Sequence, residues 1–211
     1  MRYRKSEVSV EQILGAAMRV LARQGYAHSS LMDIAREAGM SKGALHYHFP
    51  SKDSLMGAVL ARACDAVRHR TVEAWNRRAD DPLQALRASL RELWEARAHM
   101  SDEGRVVADL LAQSLHDEKL RPKLADYYRL AARQVEEHIE QQAAAHGLAP
   151  RIPAGLLARI LIGLLDGLAM QRLVDEEALD PEALFEAIEA MALGLLEFRD
   201  TSAPPSSGDA P

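Results

Sequence analysis

Cysteine is almost missing from this chain: Cys64 is the only one in 211 residues. That excludes a disulfide framework and a multi-cysteine zinc site, and it fits a reducing compartment. Aromatic residues are scarce at 5%, while Ala and Leu dominate a hydrophobic content of 48%. This balance favours helix over strand and suffices for a real core, so a wholly disordered chain is excluded. The opening MRYRKSEV lacks a signal-peptide pattern. The longest apolar run, 155–170, holds Arg159 and Asp166 and falls short of the roughly 20 apolar residues that cross a bilayer. The expectation is a soluble, cytoplasmic protein with no membrane partner.

Catalytic patterns are missing too. The chain has no Gly-rich phosphate loop, no Gly-x-Ser-x-Gly elbow and no His-Glu-x-x-His. His46 and His48 do not share a helix face, and Asp65 with His69 supplies only two ligands. The expectation is therefore no enzyme, no catalytic residue, no cofactor and no metal.

Charge is distributed unevenly. The net charge is −5, yet residues 1–60 hold eight Lys and Arg against five Asp and Glu, and the remainder holds 18 against 26. A mildly basic head on an acidic body suggests two parts with different partners.

Hydrophobic periodicity reads as all-α, with about nine helices. Ser9 to Gln12 reads as a capping box opening the first helix, whose apolar face of Ile13, Leu14, Ala17, Met18 and Leu21 stops at Gly25. Ser30 opens a short second helix ended by Gly39. Ser41 opens a third that Pro50 closes, and Ser51 caps a fourth running to about Trp75. Further helices are expected near 82–98, 102–115, 118–146, 154–174 and 181–198, with a break at 147–153. The domain reading is a basic arm over 1–8, a head over 9–55, a helical body over 56–199 and a disordered tail over 200–211.

The stretch SLMDIAREAGMSKGALHYHF, residues 30–49, carries the function. Its two helices are too short to be stable alone, so Ile34, Ala35, Ala38, Met40 and Leu45 must point inward, with Gly39 supplying the turn. This is helix-turn-helix patterning, in which the second helix enters the major groove. Ser41, Lys42, Gly43 and Ala44 form its leading end, His46 and Tyr47 bring hydrogen-bonding groups, and Phe49 is assigned to the core. Lys52 begins a helix whose free amides would face a phosphate. Arg2, Arg4 and Lys5 admit two readings, a minor-groove arm and a solvated start.

The run from Ile13 to Leu55 resembles the DNA-binding domain of TetR-family transcriptional regulators. The resemblance rests on Gly25-Tyr26, Ser30, Asp33-Ile34-Ala35, Ala38-Gly39, Ser41 to Leu45, Tyr47-His48-Phe49 and Ser51 to Leu55. It implies that Tyr47, His48 and Lys52 contact the DNA backbone, that Ser30 binds phosphate as a helix cap, and that Lys42 to Ala44 sit over bases. The family usually has tyrosine where this chain has His46. Leu165-Asp166-Gly167-Leu168-Ala169 is similar to a betaine-regulator-like subgroup. The resemblance implies a bacterial homodimeric repressor, released from double-stranded, pseudo-palindromic operator DNA by a small effector. An activator or dual regulator of the same family, and an all-α ligand-binding protein or enzyme with a structural head, stay open as alternatives.

In the body, the last two helices are too apolar for a surface. Leu157, Leu161, Gly163, Leu164, Gly167 and Leu168, with Leu184, Ile188, Met191 and Leu195, are expected to pair with a second copy in a four-helix bundle. Trp75, Trp94, Met100, Gln113, Tyr127, Tyr128, Gln134 and His138 are the candidate lining of a site for a hydrophobic or amphipathic effector. Cys64 is read as a packing thiol.

Overall fold

The computed structural model describes residues 2–98, 101–175, 177 and 180–198. Met100 and the tail over 200–211, for which expectations were set above, lie outside them. The helices are α1 (Arg2–Gln24), α2 (Leu31–Glu37), α3 (Lys42–His48), α4 (Lys52–Asn76), α5 (Pro82–Ala98), α6 (Asp102–Ser114), α7 (Leu120–Ala145), α8 (Ala154–Val174) and α9 (Pro181–Gly194). The all-α reading holds.

Local chemistry explains most helix starts. The Ser30, Ser41 and Ser51 hydroxyls each accept an amide from the first turn they open, and Asp33 and Ser54 complete reciprocal boxes. Asp180 and Pro181 start α9 in the same way, with Oδ1 of Asp180 accepting two amides. Gly25, Gly39 and Gly147 stop their helices at φ of 76°, 65° and 65°, a conformation that costs other residues strain.

Two expectations change. Because α1 begins at Arg2, Ser9 lies inside the helix and is no cap. Gln12 instead donates to the Ala38 carbonyl at 2.7 Å, tying α1 to the end of α2. The break at 147–153 also holds a strand, β1 (Leu148–Pro150), and α9 gives way after Gly194 to β2 (Leu196–Phe198). The two strands pair antiparallel, Ala149 opposite Glu197, and the Arg151 amide donates a hydrogen bond to the Leu195 carbonyl. Three-residue strands show no period-two alternation, so only their pairing reveals them.

The core is layered along the molecule. Ile13, Val20, Ile34, Leu45, Leu55, Met56 and Leu60 fill the head, and the same cluster takes in Val106 and Leu110 of α6 and Leu120 and Leu124 of α7. Head and body therefore share one apolar core rather than a loose hinge. A second cluster joins Leu90, Leu93 and Trp94 of α5 to Leu157, Leu161 and Leu165 of α8 and Phe185 and Ile188 of α9. By length and composition α8 could span a bilayer, but in this fold its inner face packs into that cluster.

Candidate nucleic-acid interface and effector cavity

α3 is locked from beneath and open above. Leu45 is fully buried and Phe49 nearly so, anchoring the helix on α1 and α2. Ser41, Lys42, Gly43, Ala44 and His46 are exposed. Tyr47 is 82% exposed, its ring edge-on to His48 at 5.2 Å. His48 is half-buried. A seven-residue helix this short is held only by packing, so its outward edge is rigidly presented. The sequence placed Phe49 inside and Tyr47 outside, as found.

Ser30 and Lys52 are less free than expected. The Ser30 hydroxyl donates to Asp33 Oδ2 at 2.6 Å while accepting its amide. The Lys52 ammonium donates to the carbonyls of Tyr26 and Ser29 at 2.5 and 2.8 Å, and lies 3.7 Å from the Tyr26 ring centroid. Burial depresses its pKa, against the pull of Asp109 and Asp53. Lys52 is thus first a tether from α4 to the loop between α1 and α2. Lys52→Ala is expected to lower the melting temperature, besides weakening DNA binding. A loss of affinity at unchanged melting temperature would return the side chain to phosphate contact alone.

Sequence reasoning missed Asp109. From α6 its carboxylate accepts the Tyr26 amide at 2.5 Å, and a Cβ at Gly25 would come within 3.4 Å of it. The Gly25–Ser29 loop, closed internally by the Ser29 hydroxyl on the Gly25 carbonyl, is therefore held from α4 and α6 together. The one available signal was a lone carboxylate between apolar Val106 and Leu110.

The body holds a cavity of about 480 Å³ between the ends of α4, α7 and α9 and the starts of α5 and α8, bordered by β1 and β2. Trp75 and His138 line it, together with Leu86, Leu90, Leu157 and Leu161. A smaller chamber of about 80 Å³ adjoins it, sharing Leu86, Leu90, His138, Ile139 and Leu161 and bordered by Cys64, Tyr127 and Gln134. Tyr128 faces a separate hollow beside Arg97 and Asp166, which pair at 2.5 Å. Burial pushes the Tyr127 phenol to about 12 and raises that of Tyr128. The Cys64 thiol donates to Gln134 and is pushed up by burial to about 11, so it is a poor thiolate at neutral pH.

Two pocket expectations fail. Trp94 is 3% exposed within the second core, not on the cavity wall, because α5 turns that face toward α8 and α9. Gln113 sits near the end of α6, where its carbonyl caps the turn into α7, away from every cavity lining described here.

The apolar faces of α8 and α9 are redistributed as well. Leu157, Leu161 and Ile188 point into the chain's own core, and Leu164, Leu168, Leu184 and Leu195 are half-buried against it. Gly163, Gly167 and Met191 are exposed. The two glycines fall on an outer stripe of α8 the hydrophobicity alone did not separate, Leu156, Ile160, Gly163, Gly167, Met170 and Val174, and Met191 lies beside a matching stripe of Ala183, Ala187, Ala190 and Gly194 on α9. Their spacing of three and four residues keeps each stripe on one side of its helix.

Comparison with known proteins agrees with this geometry. Residues 13–59 match the bacterial regulatory proteins of the tetR family, and residues 82–197 match the C-terminal part of BetI-type transcriptional repressors. The transcriptional regulator LmrA of Bacillus subtilis is 32% identical over 160 residues, which is 74% of this chain and 85% of LmrA. A Rhodococcus sp. structure described as a TetR-family regulator superposes with a TM-score of 0.76 at 23% identity, covering 89% of this chain and 97% of that one. A regulator structure from Saccharomonospora viridis, in complex with choline, is 26% identical with a TM-score of 0.65, covering 90% and 99%.

Proposed function

The chain belongs to the TetR family of bacterial regulatory proteins, and on that premise we propose that it acts as a homodimeric repressor, released from a pseudo-palindromic operator by a small molecule bound in the body. Regulators of this family bind operator DNA as dimers and respond to small effectors. One observation carries the reading for this chain: the outer edge of α3 is polar and exposed while its inner edge is fixed in the head core. Lys42, Gly43 and Ala44 approach base edges, the two small residues allowing close contact. Ser41, Tyr47 and His48 meet the phosphate backbone, with Ser30 at the flank and His46 beside the groove. The match to BetI-type repressors supports repression, and the choline complex of a relative supports a small-molecule site.

Dimerisation uses the outer stripes of α8 and α9. Gly163, Gly167, Ala183, Ala187 and Ala190 let backbones approach, and Leu156, Ile160 and Met191 supply apolar area. Ile160→Glu is expected to give a folded monomer in sedimentation, with operator affinity lowered because one recognition helix binds alone. A dimer of parent stability would refute this assignment of the seam. The function itself is tested by gel shift of the full chain on the DNA upstream of its own coding sequence, with excess non-specific competitor. Retention as a dimeric complex is expected; competition by any sequence would refute it.

A further inference from the structure

We propose that the cavity takes an uncharged, largely apolar molecule bearing one hydroxyl or carbonyl, which it places against Nε2 of His138 at the junction of the two chambers. This rests on reading the cavity as the effector site. Its walls are aliphatic where the chambers meet, at Leu86, Leu90, Ile139 and Leu161. Among these sits one polar atom with no work inside the protein: Nε2 of His138 is buried and has no hydrogen-bond partner among the described residues. A polar atom withdrawn from water is costly until something meets it, and because His138 lines both chambers, a small turn of its ring brings Nε2 to a ligand group seated there. The ring packs edge-on to Trp75 at 5.2 Å and 85°. A hydroxyl serves either imidazole tautomer, donating to a bare nitrogen or accepting from an N–H, and a carbonyl serves the second. Burial lowers the pKa of His138 and keeps the imidazole neutral at neutral pH.

The charged groups around the cavity argue against an ionic ligand. Its two carboxylates, Asp81 and Glu197, lie exposed at the rim. Asp81 accepts the amides of Leu83 and Gln84, and Glu197 faces Arg151 at 3.7 Å. The two guanidiniums bordering the inner chamber, Arg68 and Arg97, face Asp65 at 3.8 Å and Asp166 at 2.5 Å. Asp81 keeps its charge in solvent at the rim, while the charges bordering the inner chamber are paired. Nothing within the aliphatic walls thus neutralises an ammonium or a carboxylate, and desolvating either there is unfavourable. Trp75 is 6% exposed and engaged by both His138 and His146, so little of its ring is open to a cation. The ligand chemistry therefore departs from that of the choline-bound relative.

The test uses four probes on one frame: biphenyl, 4-phenylphenol, biphenyl-4-carboxylate and biphenyl-4-yl-trimethylammonium, titrated into the full-length protein by calorimetry. The phenol is expected to bind about 10-fold tighter than biphenyl, as one hydrogen bond to a buried group supplies, and to exceed both ions by at least that factor. His138→Phe should erase the advantage of the phenol and leave biphenyl binding within about twofold. In the native protein the imidazole ¹⁵N resonance of His138 should move with 4-phenylphenol, which keeps the test independent of how the variant folds. Equal affinities of phenol and biphenyl, preference for either ion, a static imidazole resonance, or no binding at all would overturn the proposal. Failure of the underlying reading is seen separately: a gel shift in which operator binding is unaffected by bound 4-phenylphenol refutes the effector role, whatever the order of affinities.

Discussion

Ala44→Glu is expected to lower operator affinity at least about 100-fold while the melting temperature stays within about 2 °C of the parent. Ala44 is exposed in the first turn of α3, where its amide is capped by the Ser41 hydroxyl. A carboxylate in a first turn complements the helix dipole, so the fold has no reason to suffer. The same carboxylate would face phosphates and base acceptors, and it would do so twice in a dimer. One wrong contact at a base edge costs about 1–3 kcal/mol, and two copies at least double that. A gel shift beside a thermal melt measures both quantities. Near-parent affinity would mean that the leading end of α3 does not enter the groove.

Asp109→Ala is expected to cost about 3–12 °C in melting temperature and to speed exchange of the Tyr26 amide. The carboxylate accepts that amide at 2.5 Å across the junction of body and head, half-buried on α6. A charged hydrogen bond of this kind contributes about 1.5–3 kcal/mol, and each kcal/mol shifts a chain of this size by about 2–4 °C. The same contact should also carry the response to ligand. A molecule filling the inner chamber meets Cys64, Val67 and Thr71 of α4, and α4 begins at Lys52, which grips the loop that Asp109 holds from α6. A ligand weakens DNA binding only through its preference for one of two states, typically about 1–3 kcal/mol of coupling. Removing Asp109 should therefore bring operator affinities with and without ligand closer together. An unchanged melting temperature, with exchange at Tyr26 as slow as in the parent, would contradict this role.

What the sequence disclosed was mainly local. Ser30, Ser41 and Ser51 cap the helices they were read to cap, because a cap needs only the hydroxyl and the three residues after it. Gly39 and Pro50 punctuate α3 for equally local reasons, and Tyr47 on the helix and Phe49 at its cap fall outside and inside as read. Contacts between distant segments were opaque. Lys52 read as a phosphate ligand because nothing in its neighbourhood announces the Tyr26 and Ser29 carbonyls. Leu157 and Leu161 read as seam because α8 is apolar on every side, and composition alone cannot assign its inner and outer faces. Trp94 was taken for cavity lining on its residue type, whereas burial was decided by α8 and α9 closing over it.

Hydroxyl-radical footprinting of the full-length protein on its operator tests the central claim most directly. Two protected windows are expected on one face of the duplex, related by two-fold symmetry, with centres one helical turn apart, ~34–36 Å, or a whole multiple of it. Both should vanish together in Ala44→Glu. A single window, windows on opposite faces, or protection spread evenly along any sequence would contradict the placement of paired α3 helices in successive grooves.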